Sequence, residues 1–229
     1  MQRHNYNPRY AALFDLDGVI IDTRSATKNA LRTLAISQLD EPVNPATLEA
    51  CVLLPPVDAL VALGVSDARH VYGDLFDTAL ATAVGKLRVF DAVVSGMAAL
   101  ADKGAGLGII TAQARSRLDF LLPPHVADLV DVVIAHEDAP PKPAPDGVLA
   151  ACAHLGVRPE HAFFLGDAPT DIAAGRAAGV LTVGAGWGFT GGAALHHAGA
   201  DVMLTEPDQV GPDILLHVDG RPRQSCVTD

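Results

Sequence analysis

Two aspartates separated by a single residue, Asp15 and Asp17, stand directly after the apolar run 11–14 and before Gly18. Ionised carboxylates at the end of an apolar segment need a cation, hydrogen-bond donors or a proton to stabilise them. One carboxylate of such a pair can act as a nucleophile while the other transfers protons. The pair therefore suits a metal-assisted reaction, provided that the rest of the chain supplies positive charge.

Later in the chain, further polar residues follow predicted strands. They are Thr111 after the strand 107–110, Lys142 after the strand 130–135, and Asp167 and Asp171 after the strand 162–165. Ligands of a doubly wound parallel sheet bind outside the carboxyl ends of its strands. We therefore expect these residues to meet the first aspartate pair at one edge of the sheet.

Phosphoryl transfer is the chemistry that this set of residues favours. Carboxylate and water oxygens are the ligands that Mg²⁺ prefers. The candidate metal ligands from this reasoning are Asp15, Asp167 and Asp171. Thr111 and the main-chain amide of Ala112, at a predicted helix start, suit phosphate oxygens. Lys142 adds a compact positive charge that neutralises the phosphate and keeps the carboxylates ionised.

The order of predicted elements indicates an α/β fold with a doubly wound parallel sheet and an inserted helical domain. Predicted strands begin at Tyr10 and then cover 107–110, 130–135, 162–165, 180–183 and 202–204. Predicted helices cover 23–39, 45–54, 56–63, 66–87, 95–103, 113–122, 145–155, 170–178 and 192–197. Alternating strands and helices of these lengths are typical of right-handed βαβ units.

The domain boundaries follow from the same pattern. Residues 8–22 and 89–217 are expected to form the α/β core, and residues 23–88 a helical cap, because this insert is far longer than an ordinary connection. Ser66 and Asp67 are expected to cap the last helix of the insert, and Ser95 the next helix of the core. The polar residues 218–229 are predicted to be a disordered tail.

Composition narrows the classes of partner and compartment. The chain of 229 residues has a formal net charge of −11, and we find no basic stripe, so we expect neither a nucleic-acid nor an anionic-membrane partner. No apolar stretch reaches the length of a membrane span, and the first ten residues do not resemble a signal peptide. The 3 cysteines are far apart in the sequence, which favours reduced thiols over disulfide bonds. We therefore expect a cytoplasmic protein, and the oligomeric state stays open.

Four ordered segments carry a family resemblance. They are Phe14-Asp15-Leu16-Asp17-Gly18-Val19, Thr111, Lys142-Pro143-Ala144-Pro145 and Gly166-Asp167-Ala168-Pro169-Thr170-Asp171. In this order and spacing they resemble the motifs of the haloacid dehalogenase-like hydrolases, and above all the phosphoglycolate phosphatase-like group with a helical cap after the first motif. The resemblance extends from about residue 10 to residue 204. Ala168 departs from it, because many relatives carry Ser or Thr there.

The resemblance implies a role for each motif residue. Asp15 is implied to be the nucleophile that forms an aspartyl-phosphate, and Asp17 the general acid and base. The implied Mg²⁺ ligands are Asp15, Asp167, Asp171 and the main-chain carbonyl of Asp17. The implied ligands of the phosphoryl group are Thr111, Ala112 and Lys142. The presence of Asp17 favours phosphate-ester chemistry, because an alkoxide leaving group needs a proton.

The resulting expectation is a phosphatase that hydrolyses a small phosphorylated metabolite. The alternatives left open are a phosphomutase similar to β-phosphoglucomutase, a phosphotransferase, and a non-catalytic binding protein on the same fold. Candidate contacts for the rest of the substrate are Arg24, Lys28 and Arg115, since each lies near a motif in the sequence. The glycine-rich stretch 184–192 lacks the ending of a P-loop. It is predicted to be a flexible loop after the fifth strand and is a candidate for flanking the site.

Overall fold

The computed structural model describes residues 8–39, 41–52 and 54–220. These residues divide into two compact units. The core unit comprises residues 8–20, 90–115 and 123–220, and the helical unit comprises the described residues of 21–89 together with 116–122. The predicted disordered tail falls partly outside this description, since residues 221–229 are not among the described residues.

Strands and helices alternate along the core unit, whereas the helical unit consists almost entirely of helices. The strands are β1 (Tyr10–Phe14), β2 (Ile21–Asp22), β3 (Arg88–Val89), β4 (Ala105–Ile110), β5 (Val132–Ile134), β6 (Ala162–Gly166), β7 (Leu181–Ala185) and β8 (Val202–Leu204). The helices are α1 (Arg24–Leu39), α2 (Pro45–Cys51), α3 (Pro56–Ala62), α4 (Ala68–Ala83), α5 (Asp91–Asp102), α6 (Arg115–Leu121), α7 (Pro124–Ala127), α8 (Asp146–Leu155), α9 (Pro169–Ala178), α10 (Gly192–His197) and α11 (Ile214–Asp219).

The core unit contains a six-stranded sheet in the order β5-β4-β1-β6-β7-β8, in which every neighbouring pair is parallel. The predicted α/β class with a parallel sheet is therefore confirmed. All five residues of β1 are buried, because helices cover both faces of such a sheet and its central strands are apolar throughout. The chain moves from β1 to β4 and β5 on one side, then to β6 on the other. β1 is thus the switch point of the topology, where ligands of such sheets bind.

The helical unit contains α1 to α4 and the small antiparallel pair β2–β3. Residues of α1 and α4 pack closely, and the apolar side chains of both helices are buried at this contact. The sequence pattern did not predict the β2–β3 pair, because two residues are too few for an alternation of apolar and polar positions to be visible. Over the described residues, no helix combines the length and the apolar character that a membrane crossing needs.

Several predicted boundaries are wrong. The core helix expected to begin at Ser95 begins at Asp91, and the Ser95 hydroxyl donates a hydrogen bond to the Asp91 carbonyl oxygen inside α5 at 2.9 Å. A serine can satisfy its hydroxyl in this way within a helix as well as at its start. Asp67 does precede α4, but its side chain makes no capping hydrogen bond.

The predicted tail begins too early. Residues 218 and 219 belong to α11, and the Tyr10 hydroxyl donates hydrogen bonds to both carboxylate oxygens of Asp219, at 2.9 and 2.7 Å. α7 and α11 were not predicted, since both are shorter than two helical turns and their apolar periodicity is too brief to distinguish from a loop.

Candidate active site

The ends of three neighbouring parallel strands bring the first group of candidate residues together. Asp15 follows β1, Thr111 follows β4 and Asp167 follows β6. The Asp15 amide donates to the Leu165 carbonyl at 2.9 Å, and the Thr111 amide donates to the Ile134 carbonyl at 3.0 Å. Both residues therefore continue the ladder of the sheet by one step, which fixes their main chains at its edge.

Three carboxylates converge at this edge. Asp15, Asp167 and Asp171 each offer one oxygen, and these oxygens lie within 4.8 Å of one another. The residues are buried, with only 7%, 4% and 1% of their surface exposed, respectively. Asp171 reaches the group from the first turn of α9, where its Oδ2 accepts a hydrogen bond from the Ala168 amide at 2.9 Å.

Lys142 supplies the positive charge that faces this group. Its Nζ lies 2.8 Å from Asp15 Oδ1 and 2.6 Å from Asp171 Oδ1. Burial by itself would lower the pKa of Lys142, but the two carboxylates reverse this effect and raise it above its ordinary value. The two carboxylates thus favour the charged ammonium, the form that can neutralise a phosphate.

One ammonium does not balance three carboxylates. Burial raises the pKa of Asp15 well above its ordinary value, and Lys142 opposes this shift while Asp171 and Asp167 add to it. Burial also raises the pKa of Asp167 to about 7, against the opposing hydrogen bond from the Phe189 amide. Burial is the larger cause of both shifts, and the three carboxylates facing one ammonium leave the site with surplus negative charge. A divalent cation that takes hard oxygen ligands would remove that surplus, so the donor set fits Mg²⁺.

Asp17 lies outside this three-carboxylate group. Its Oδ2 accepts a hydrogen bond from Gln113 Nε2 at 3.0 Å, and the Gln113 amide donates to the Thr111 hydroxyl oxygen at 3.1 Å. Gln113 therefore links the proposed proton-transfer residue to the proposed phosphate contact. The sequence reasoning missed Gln113, because nothing in the local pattern indicates that its side chain would face residue 17.

The phosphate-binding candidates line a pocket in the core unit. This pocket has a volume of about 120 Å³, and its lining includes Thr111, Ala112 and Lys142 as well as Thr170. The remaining wall consists mainly of apolar side chains of β4, β5 and the loop that carries Lys142. The Thr111 hydroxyl oxygen accepts the Gln113 amide, and a hydroxyl that accepts one hydrogen bond can still donate its own proton.

The side chains of Arg115 and Lys28, two of the three predicted substrate contacts, already pair with carboxylates of the protein. The Arg115 guanidinium pairs with Asp138, and its amide donates to Glu137 Oε2 at 3.1 Å. Lys28 pairs with Glu49, and the Arg24 amide donates to Asp22 Oδ1 at 3.1 Å. Arg24 and Lys28 belong to the helical unit, and Arg115 belongs to the core unit. Their role in binding substrate stays a prediction.

Glycines allow the close approach of the main chain to the carboxylates. A Cβ at Gly18 would lie 2.2 Å from Asp167 Oδ2, and one at Gly166 would lie 2.2 Å from the Asp171 Cβ. Gly18 also has a φ of +76°, which L-residues with a side chain rarely adopt. The glycine after the aspartate pair is thus required by both space and backbone conformation.

We expect Gly18→Ala to lower both stability and cation affinity. The left-handed backbone alone should cost about 1–3 kcal/mol of the free energy of unfolding, and the new methyl group would also displace Asp167. Gly179→Ala is the matched control, because Gly179 has a φ of +80° and no heavy atom near its Cβ position. Urea unfolding and Mg²⁺ titration of both variants measure the difference. Equal losses of stability and unchanged Mg²⁺ affinity in Gly18→Ala would contradict this account.

The sequence is similar to a known protein family and to individual members of it. The sequence profile described as Haloacid dehalogenase-like hydrolase matches residues 12–185. Phosphoglycolate phosphatase from Shigella boydii is 27% identical over 233 residues, covering 89% of this chain and 91% of the relative. Phosphoglycolate phosphatase from Rhodospirillum rubrum is 30% identical over 203 residues, covering 79% of this chain and 80% of the relative.

A solved structure shows the same fold. The crystal structure of a putative beta-phosphoglucomutase from Thermotoga maritima matches with a TM-score of 0.76 and 22% sequence identity. The match covers 91% of this chain and 99% of that chain. At this level of identity the likeness concerns the fold.

Proposed function

The chain belongs to the haloacid dehalogenase-like hydrolase family, and from that premise we propose that it is a Mg²⁺-dependent phosphatase that hydrolyses a small phosphorylated metabolite through an aspartyl-phosphate at Asp15. The observation that carries the proposal is the contact of 2.8 Å between Lys142 Nζ and Asp15 Oδ1 at the end of the central strand. A carboxylate in this position is buried, faces a cation and adjoins a pocket with phosphate-binding groups.

In the first half of the proposed reaction, Asp15 attacks the phosphorus atom. A bond forms between an oxygen of Asp15 and phosphorus, and the bond between phosphorus and the ester oxygen breaks. Asp17, which begins this step protonated, donates its proton to the leaving oxygen. Lys142 and the Thr111 hydroxyl stabilise the negative charge on the phosphoryl oxygens.

In the second half, water releases the phosphate. Asp17 is now a carboxylate and accepts a proton from the water molecule, whose oxygen attacks phosphorus while the bond to Asp15 breaks. Inorganic phosphate leaves, Asp15 is regenerated and Asp17 is protonated again. Asp15, Asp167, Asp171 and the main-chain carbonyl of Asp17 are the proposed metal ligands. When bound, Mg²⁺ supplies positive charge that offsets the carboxylates and the phosphate.

Phosphoglycolate is the first substrate to test, because both phosphatase relatives named above act on it by name. We expect the purified protein to release inorganic phosphate with Mg²⁺ present, to lose this activity in EDTA, and to recover it when Mg²⁺ is restored. A panel of phosphorylated metabolites, followed by both phosphate release and sugar-phosphate isomerisation, identifies the preferred substrate. Isomerised product without released phosphate would replace the proposal by a phosphomutase, and no turnover of any member of the panel would refute it.

A further inference from the structure

The glycine-rich stretch after β7 contacts Asp167, one of the proposed metal ligands. We propose that residues 186–190, here called the β7 loop, form a positioning element that holds Asp167 in place for cation binding. This inference rests on the proposed function. It states that the affinity of the protein for Mg²⁺ depends partly on residues that are not metal ligands. The prediction of a flexible loop does not account for the contacts described below.

Two hydrogen bonds from the β7 loop hold Asp167 at both its side chain and its main chain. The Phe189 amide donates to Asp167 Oδ2 at 2.6 Å, and the Thr190 hydroxyl donates to the Asp167 carbonyl oxygen. A carboxylate that accepts an amide at one oxygen has its rotamer fixed, and charge-assisted bonds of this kind are about twice as strong as neutral ones.

The main chain of the β7 loop lies directly against Asp167. A Cβ at Gly188 would lie 2.2 Å from the Asp167 Cβ, so only glycine allows this approach. The Gly186 amide donates to the Leu204 carbonyl at 2.8 Å, which joins the start of the loop to the end of β8. The loop is thus fixed to the sheet on one side and packed against the aspartate on the other.

Trp187 connects the same loop to the segment that follows the aspartate pair. Its indole Nε1 donates to the Val19 carbonyl oxygen at 3.4 Å, and its ring meets Phe90 edge-on with 6.5 Å between ring centroids. All of these residues belong to the core unit. The loop therefore contacts both chain segments that carry Asp15 and Asp167. These contacts help to fix the distance between the two carboxylates.

This arrangement predicts that the Thr190 hydroxyl acts on cation affinity through Asp167. Thr190 is a positioning residue, since its hydroxyl contacts the main chain of a proposed ligand and not the proposed ion. Loss of such an outer partner commonly lowers metal affinity by about 10- to 100-fold. A purely structural role of Thr190 would lower thermal stability but would leave the affinity of the folded protein for Mg²⁺ unchanged.

The test is isothermal titration of the substrate-free protein with Mg²⁺. We expect Thr190→Val and Thr190→Ala, which both remove the hydroxyl, to raise the dissociation constant at least about tenfold. Thr190→Ser should restore it to within about twofold of the wild-type value, because serine keeps the donor. Thr205→Val is the matched control, since Thr205 is exposed and its hydroxyl bonds to Gln209. Melting temperatures in EDTA verify that each variant is folded.

The outcomes separate this inference from the proposed function. Wild-type affinity for Mg²⁺ in folded Thr190→Val or Thr190→Ala would overturn the role of the β7 loop and leave the phosphatase proposal standing. Failure of the serine variant to restore affinity would also overturn it, because the hydroxyl would then not be the cause. Absence of Mg²⁺ binding by the wild-type protein would refute the Mg²⁺ site and this inference together.

Discussion

Asp15→Asn should abolish phosphate release, lowering kcat by about 10⁴-fold or more, as removal of a catalytic nucleophile typically does. The amide keeps the shape of the side chain and can still accept a hydrogen bond from Lys142, but its oxygen cannot attack phosphorus and leave again as a carboxylate. The measurement is the rate of phosphate release from the best substrate with saturating Mg²⁺. Acid quenching of the wild-type reaction should trap the phosphorylated protein, and the variant should give none.

The stability of this variant distinguishes chemistry from folding. Burial raises the pKa of Asp15, so its ionised form is unfavourable in the folded state, and its contribution to stability is lost as the pH rises through the raised pKa. We therefore expect Asp15→Asn to melt close to or above the wild-type protein in EDTA at pH 8. Asp102→Asn, at the exposed end of α5, is the control for loss of one negative charge. Substantial turnover by Asp15→Asn would refute the assignment of the nucleophile.

The positions of the site residues could be predicted because strand ends are a local property of the sequence. The apolar residues 11–14 are followed directly by Asp15, and the apolar residues 162–165 are followed by Gly166 and then Asp167. A parallel sheet places such strand ends at one edge. The approach of Asp15, Asp167 and Asp171 to within 4.8 Å follows from that topology, although no single segment shows it. Lys142 was assigned to the same edge because it follows the predicted strand 130–135, although it lies in the loop beyond the end of that strand.

The supporting contacts could not be predicted, since each joins segments that are far apart in the chain. Gln113 meets Asp17 across 96 positions, and Phe189 meets Asp167 across 22. A glutamine in a loop and a main-chain amide in a glycine-rich stretch carry no pattern of their own. The available signal was the density of glycine at 184–192 after the fifth predicted strand. It made this loop a candidate for flanking the site, without indicating which residue its main chain approaches.

Short elements escaped prediction for a different reason. β2 and β3 have two residues each, and α7 has four, so neither a period of two nor one of 3.6 is visible within them. Their positions depend on the tertiary partners that stabilise them. The pairing of Arg115 with Asp138 could not be predicted either, because it depends on how the loop after β5 folds back.

Lys142→Met should produce the second large effect, on both activity and stability. Methionine has a similar length but no charge, so the phosphoryl group loses a cation that we propose stabilises the transition state. Removal of one such group typically lowers kcat by about 10²- to 10³-fold. Three buried carboxylates would also lose their ammonium partner, and breaking a buried ion pair costs about 3–5 kcal/mol. We expect the free energy of unfolding in EDTA at pH 8 to fall by this amount.

The change of the stability deficit of Lys142→Met with pH is a second measurement that tests this prediction. The pKa of Asp167 is already raised to about 7, and without the ammonium the carboxylates should take up protons more readily still. A raised pKa means that stability is retained at low pH and lost as the pH rises. The stability deficit of Lys142→Met should therefore shrink from pH 8 to pH 5, and saturating Mg²⁺ at pH 8 should also reduce it, because the cation replaces the missing charge. Lys103→Met, at an exposed lysine after α5, is the control. A deficit that stays the same from pH 8 to pH 5 would show that Lys142 stabilises the fold by packing and not by charge.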